Sequence, residues 1–387
     1  MRLFGTDGIR GVAGRFPLDE QTVTIIGRSL ALNLARDLGR PARIVIGRDT
    51  RQSGPQIELA VGRGLASAGA TARSAGVITT PGVAYITRSE PFDAGVVISA
   101  SHNPYQDNGI KIFSRSGKKI DDETERRIEA DVASGAAVDD WGGATGWLRD
   151  QADTEKEFQE RYVSYLADDV GSGLRLEGLK LGLDCANGAA SHIAPKLFER
   201  LGGRVEVIGA KPDGRNINEG CGSLHLESLQ RVVEERGLNL GIAFDGDADR
   251  ALFVDEAGKI VDGDAALLIL ADKLRAQGLL AGNVVVATVM SNLGLELALK
   301  ERDIQLVRAQ VGDRYVLEEL LARGAKLGGE QSGHIIFPDI SLAGDGMITA
   351  IQLLGAIKGS GQTLGQLASQ LTRYPQVLVN VRVQSKP

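Results

Sequence analysis

A chain of 387 residues, 43% apolar and 24% charged, has the composition of a soluble globular protein with length for several cores. A net charge of −6 excludes a general binder of nucleic acid or of anionic membrane, so any phosphate site must be locally basic. Two cysteines, Cys185 and Cys221, exclude a disulfide framework and fit a reducing, cytoplasmic setting.

The opening Met1-Arg-Leu-Phe-Gly-Thr-Asp7 turns polar at once, so no secretory signal is expected. No apolar run approaches the ~20 residues that span a bilayer. After the Gly-rich stretch Gly5-Thr-Asp-Gly-Ile-Arg-Gly11, a helix is expected over 19–38. There Val23, Ile26, Leu30, Leu34 and Leu38 keep helical spacing, and Gly39 supplies the stop. A recurring pattern follows. Residues 43–47 read as a strand, 48–53 as a polar loop, 55–68 as a helix and the region of Val77 as a second strand. The apolar run 95–98 is a third strand, broken by Ser99-Ala-Ser-His-Asn-Pro104. Beyond it, Asn108-Gly109 reads as a tight-turn pair, flanked by Lys111.

The same order returns at 179–184, with the loop 185–189, a helix holding Ile193, Leu197 and Leu201, and a strand at 204–208. It ends in the apolar run 240–244 and Asp245-Gly-Asp-Ala-Asp-Arg250. It returns once more at 283–289, through a helix with Leu297 and Leu299 and a strand at 304–307, ending at Gly328-Gly-Glu-Gln-Ser-Gly-His334. The expected fold is α/β: three tandem mixed-sheet units, each ending in a different polar loop. Right-handed crossovers set these loops on comparable sheet edges, and their convergence on one cleft is the expectation.

Boundaries are placed at 1–148, 149–252, 253–372 and 373–387. The Gly/Ala-rich stretch 133–146, with Trp141 in it and Trp147 directly after, reads as loop. A charged helix over 154–168 presents Phe158, Tyr162 and Leu166 and bridges the first two units, and a hairpin at 253–263 joins the second and third. Helices follow at 347–357 and 364–371, and residues 376–383 alternate like a strand.

Ser101 sits just past the carboxyl end of a strand, where open α/β sheets bind ligands. A hydroxyl beside His102, Lys111 and backbone amides suits phosphate binding or a covalent phosphoserine, with an ordinary strand-to-turn loop as the rival. Asp245, Asp247 and Asp249 offer hard oxygen ligands, suited to Mg²⁺ or Ca²⁺ rather than zinc. An EF-hand fits poorly: Arg250 stands where Gly is needed, and both flanks read as strands. A solvated acidic turn is the other alternative. Glu330, Ser332 and His334 alternate, so an extended backbone would put acceptor, hydroxyl and imidazole on one side, as sugar hydroxyls require. His192 and His225 read as structural or exposed. Arg10, Arg48 and Arg51 lie in loops of the first unit, either steering phosphate or solvated.

Taken together, Ser99-Ala-Ser-His-Asn-Pro104, Asp245-Gly-Asp-Ala-Asp-Arg250 and Gly329-Glu-Gln-Ser-Gly-His334 closely resemble the three signature loops of the α-D-phosphohexomutase superfamily. The opening Phe4-Gly-Thr-Asp-Gly-Ile-Arg-Gly11, Tyr105-Gln-Asp-Asn-Gly-Ile-Lys-Ile-Phe113 and Val289-Met-Ser-Asn-Leu-Gly294 carry the likeness towards members acting on glucosamine phosphates. The resemblance implies Ser101 as phosphoserine, and Mg²⁺ held by Asp245, Asp247, Asp249 and the Ser101 phosphate. It implies Glu330, Ser332 and His334 on the sugar, and Arg250, His102, Lys111 and Arg10 around the phosphoryl group, with His102 or Lys111 as the base. It further implies a phosphosugar substrate, a 1,6-bisphosphate activator, compatibility with a homodimer, and a product feeding UDP-N-acetylglucosamine and cell-wall synthesis. Members have four domains around a deep cleft; here only the first strand of the fourth is expected, without the phosphate clamp of that domain. The other sugars of the superfamily, glucose and mannose phosphates, remain alternatives, as does a non-catalytic metal- and phosphosugar-binding module.

Overall fold

A computed structural model describes residues 2–135 and 151–377, the side chains of residues 151 and 152 excepted. Most of the stretch 133–146, both tryptophans and the greater part of the strand expected at 376–383 lie outside the described residues.

Three sheets succeed one another along the chain. The first contains β1 (Phe4–Gly5), β2 (Gly8–Val12), β3 (Arg43–Arg48), β4 (Thr71–Val77), β5 (Ala94–Ile98) and β6 (Asp107–Ser114) in the order β1-β2-β6-β5-β3-β4. The second contains β7 (Lys180–Asp184), β8 (Arg204–Ile208), β9 (Leu240–Phe244), β10 (Ala251–Val254) and β11 (Ile260–Val261) in the order β11-β10-β9-β7-β8. The third contains β12 (Val284–Thr288), β13 (Gln305–Ala309), β14 (Gly328–Gly329) and β15 (Ile335–Ile336) in the order β13-β12-β14-β15.

One connectivity underlies all of them. In each sheet a central strand (β3, β7, β12) pairs in parallel with the strand that follows it and with the third strand (β5, β9, β14). The third strand then pairs antiparallel with a fourth (β6, β10, β15). The turn from third strand to fourth carries the chemistry-bearing residues every time: Ser101, then Asp245 to Asp249, then Glu330 to His334. Central strands are buried on both faces by helices, and accordingly read as continuous apolar runs such as Ile44-Val45-Ile46 and Val285-Val286-Ala287.

Local chemistry sets the helix ends. Asp19 caps Glu20–Leu38 by accepting from the Thr22 amide, and Gly39 closes it at φ 67°. Thr79 caps Thr80–Ser89, aiming that helix's amino end at the second unit, where the Thr80 amide donates to the Asp247 carbonyl at 3.0 Å. The charged helix Gln151–Ser164 bridges the first two units as expected. Gln159 donates to the Val77 carbonyl at 2.9 Å, and Glu160 pairs with Arg200. The hairpin at 253–263 is present as β10 and β11, both within the second sheet.

Asp345, 3% exposed, caps the helix Gly346–Ser360 and accepts a 2.6 Å hydrogen bond from Tyr162. Burial pushes its pKa up to about 6. A raised folded-state pKa means the associated stability is fully present below about pH 4 and is lost as pH rises through about 6. Asp345→Asn keeps the cap without the charge. Its unfolding free energy should match wild type near pH 4 and exceed it by about 1–3 kcal/mol above pH 7 in denaturant titrations. A difference independent of pH would contradict this origin.

Candidate functional site

β5 is buried along its whole length, and at its end Ser101 takes up φ 52°, the left-handed region that a β-carbon disfavours. This turns the hydroxyl back across the loop. Oγ donates to Asp245 Oδ2 at 2.6 Å and lies 3.2 Å from His102 Nδ1. Although in a loop, Ser101 is only 1% exposed, because the loops of the first and second units close over each other there. A β-carbon on Gly246 would stand 2.5 Å from the Ser101 carbonyl, so the approach of the two backbones requires glycine.

The pair Asn108-Gly109 forms no turn. Both lie within β6, where Gly109 pairs with Arg10 and a β-carbon would meet the Ser99 carbonyl at 2.5 Å. Glycine is present for close approach, a need that looks the same as a turn in sequence. Lys111 is therefore a strand residue, 1% exposed. Its ammonium lies 2.9 Å from Asp247, 3.1 Å from Asp249 and 3.1 Å from Asp7.

Asp245, Asp247 and Asp249 come together as the loop curls, with Ala248 at φ 56°; one oxygen from each lies within 4.8 Å of the others. The flanks are strands, and Glu256 accepts instead from Thr363 and the Gly365 amide, so an EF-hand is excluded. Burial, then Asp249 and Asp247, push the Asp245 carboxyl well above the usual range. Burial opposes ionisation at Asp249 too, but Lys111, His334 and Arg250 outweigh it and hold that carboxyl low. Asp247 Oδ1 and Asp249 Oδ1 are buried with no hydrogen-bond partner. Three convergent carboxylates with unsatisfied oxygens are the donor set of a hard divalent cation.

The third loop is not extended. Glu330 and His334 close a tight hairpin, the Glu330 amide donating to the His334 carbonyl at 2.9 Å and Gly333 turning at φ 89°. The turn, rather than strand alternation, sets where the three side chains go. Glu330 accepts from the Gly312 amide at 3.1 Å and from Ser332 at 3.3 Å. His334 meets the metal loop, 3.7 Å from Asp249 Oδ1. Burial works against its charge, but Asp249 raises its pKa to about 9.

Between the loops lies a cavity of about 430 Å³ lined by Thr6, Arg10, His102, Arg250, Gly312 and Glu330 among others. His102 is held neutral, its pKa lowered to about 4 by burial and by Arg250 and Arg10. Ten of the eleven candidate side chains thus border this cleft or the carboxylate cluster behind it, and Ser332 joins them only through its hydrogen bond to Glu330. Arg48 and Arg51 do neither of the things expected. Arg48 pairs with Glu58, and Arg51 is 1% exposed with its guanidinium on the Ser101 and Asn103 carbonyls.

Several residues escape a sequence reading. Asp7 bridges Lys111, Lys119 and Arg10, and these cations hold its carboxyl low against burial. Lys119 reaches on to Asp313 at 2.6 Å, joining first and third units. Thr80 donates to Asp247 at 2.5 Å. Only Asp7 carried a signal, its place in the Gly-rich opening.

Models of the phosphoglucomutase/phosphomannomutase alpha/beta/alpha domains I, II and III match residues 1–139, 160–258 and 262–374. The phosphoglucosamine mutase of Solibacter usitatus is 50% identical over 99% of this chain and 84% of its own length. That of Pelotomaculum thermopropionicum is 52% identical over 99% and 85%. Among solved structures, a Burkholderia thailandensis phosphoglucomutase/phosphomannomutase family protein superimposes with a TM-score of 0.79 at 25% identity, over 96% of this chain and 80% of that one. The Aspergillus fumigatus N-acetylphosphoglucosamine mutase shares the fold with a TM-score of 0.67 at 17% identity, over 99% and 82%. Three domain models in the right order, together with half-identical relatives along nearly the whole chain, show that it belongs to the phosphoglucomutase/phosphomannomutase family and, within it, to the phosphoglucosamine mutases.

Proposed function

We propose that this phosphosugar mutase interconverts glucosamine 6-phosphate and glucosamine 1-phosphate through a phosphoserine at Ser101. The observation that carries the reading is the Ser101 hydroxyl, 2.6 Å from Asp245 in a cluster of three carboxylates at the edge of the cleft. Asp245, Asp247 and Asp249 would hold one Mg²⁺, with the Ser101 phosphate as a further ligand. The related Aspergillus protein was crystallised with GlcNAc-6P and magnesium, which supports that choice of ion. When bound, Mg²⁺ supplies positive charge to the phosphoryl oxygens during transfer.

In the first half-reaction the bond from Ser101 Oγ to phosphorus breaks and a bond from phosphorus to the anomeric oxygen of glucosamine 6-phosphate forms. The product is the 1,6-bisphosphate; a base takes the proton of the anomeric hydroxyl, and a proton is returned to the leaving Oγ, so that Ser101 ends as the free hydroxyl. The bisphosphate then turns over; the bond from phosphorus to its 6-oxygen breaks, a bond from phosphorus to Ser101 Oγ forms, and the serine proton is taken up by the base while the 6-oxygen gains one, leaving glucosamine 1-phosphate. Glucosamine or glucose 1,6-bisphosphate activates by restoring phosphate to a bare Ser101.

His102 fits the base better than Lys111. Its imidazole is neutral and close to Oγ, whereas the Lys111 ammonium is fixed by three carboxylates, which raise its pKa against burial. Lys111 instead neutralises the cluster. Arg250 and Arg10 border the cleft at the phosphoryl end, where their charge favours the transferring group. Glu330, Ser332 and His334 take sugar hydroxyls. Among the described residues no helix is long and apolar enough to cross a membrane.

Coupled assays with glucosamine, glucose and mannose 6-phosphates test the substrate. Glucosamine 6-phosphate should give the highest kcat/KM by at least about tenfold, the scale of one well-placed polar contact. A higher value for glucose or mannose phosphate would make this a phosphoglucomutase or phosphomannomutase.

A further inference from the structure

The conformation of Ser101 is held at both of its peptide groups. On the amino side, the Ser101 amide donates to Ser99 Oγ at 2.9 Å, and Ser99 in turn donates to the fully buried Asp49 at 2.6 Å. On the carboxyl side, the Ser101 carbonyl receives two side-chain donors at once, Arg51 Nη2 at 3.1 Å and Asn218 Nδ2 at 2.9 Å. The same two groups also reach the Asn103 carbonyl, at 2.7 Å and 3.1 Å.

The two donors have different origins. Arg51 follows β3 of the first unit and lies 3.4 Å from Asp49. Asn218 belongs to the second unit, in the stretch between β8 and β9. It is 8% exposed, its own φ is 59°, and its amide donates to the Ala186 carbonyl at 2.9 Å. Asparagine tolerates that backbone region better than most residues and supplies a donor just there. The donor is needed, because a serine at φ 52° does not stay there unless its surroundings over-determine it.

We propose that Asn218 is a positioning residue for phosphoryl transfer. Acting with Arg51, it locks the Ser101 backbone in its left-handed conformation, so that Oγ faces the carboxylate loop of its own unit. The inference rests on Ser101 as the phosphoryl carrier. It makes the nucleophile's aim depend on contact between two domains, since the side chain that fixes the serine comes from the unit that also supplies Asp245, Asp247 and Asp249.

Asn218→Gly tests it, because glycine accepts the backbone angle and removes the donor with the rest of the side chain. The readouts are the rate constant for phosphorylation of Ser101 by glucose 1,6-bisphosphate, followed by quenched intact-protein mass, and steady-state kcat and KM. Both the labelling rate constant and kcat should fall roughly 10- to 100-fold, the cost of a small misplacement of a reacting group, with KM within about threefold. A residue that served stability alone would lower the fraction of protein that becomes labelled and leave the rate constant unchanged. That outcome, or a rate constant within twofold of wild type, overturns the proposal.

If the glycine variant does not fold, Asn218→Asp provides the second test. It is isosteric and turns a donor towards two carbonyls into an acceptor, so the labelling rate constant should fall at least as far; an unchanged one overturns the clamp. A wild-type enzyme that never acquires phosphate on Ser101 would sink the phosphoserine reading and the clamp with it. Normal labelling in wild type and variant alike would sink the clamp alone.

Discussion

Ser101→Ala should abolish mutase turnover, by at least about 10⁴-fold, because the covalent route has no other oxygen to carry the phosphoryl group. Stability should change little. The variant loses the hydrogen bond from Oγ to Asp245, worth about 1–2 kcal/mol, and the longer 3.2 Å one with His102 Nδ1, and alanine faces the same left-handed backbone as serine. Assays in saturating glucose 1,6-bisphosphate check the first expectation, and thermal melts check the second. Turnover within tenfold of wild type would remove the covalent mechanism.

Asp247→Asn is the second large effect. The substitution keeps volume and the hydrogen bond from Thr80, but removes one of three carboxylates that lie within 4.8 Å of one another. Mg²⁺ affinity should fall at least about tenfold and kcat roughly 10²- to 10³-fold, while sugar KM changes much less. The melting behaviour gives an independent check. Without Mg²⁺ the variant loses both like-charge repulsion within the triplet and the buried 2.9 Å ion pair with Lys111, so the check is the gain on adding Mg²⁺ rather than the metal-free melt. With Mg²⁺ the wild-type protein should gain stability by mass action, and the variant should gain less. A variant altered only in sugar KM would contradict the metal assignment.

The architecture was legible because the central strands are apolar on both faces. Runs such as 43–47 and 240–244 stand out, and the helix over 19–38 announces both ends through Asp19 and Gly39. The repeated connectivity was legible for the same reason, each unit spelling out its strands in one order. What sequence did not disclose depends on contacts between units. Asn108-Gly109 reads as a turn because glycine serves turns and close approaches alike, and only the neighbouring Ser99 carbonyl decides between them. Arg51 reads as a surface charge until the serine loop folds over it. Asp7, Lys119 and Asp313 form a chain across the first and third units whose members are far apart in sequence. Glu330, Ser332 and His334 were expected on one side of an extended strand; a hairpin joins them instead, with Ser332 on Glu330 and His334 towards Asp249.

The mechanism turns on where one phosphoryl group goes. Enzyme labelled on Ser101 with ³²P, freed of excess reagent and mixed with glucosamine 6-phosphate, should lose its label in a single turnover, and the label should appear in glucosamine 1,6-bisphosphate and glucosamine 1-phosphate. Label that stays on the protein, or leaves only as inorganic phosphate, would contradict the mutase mechanism proposed for this cleft.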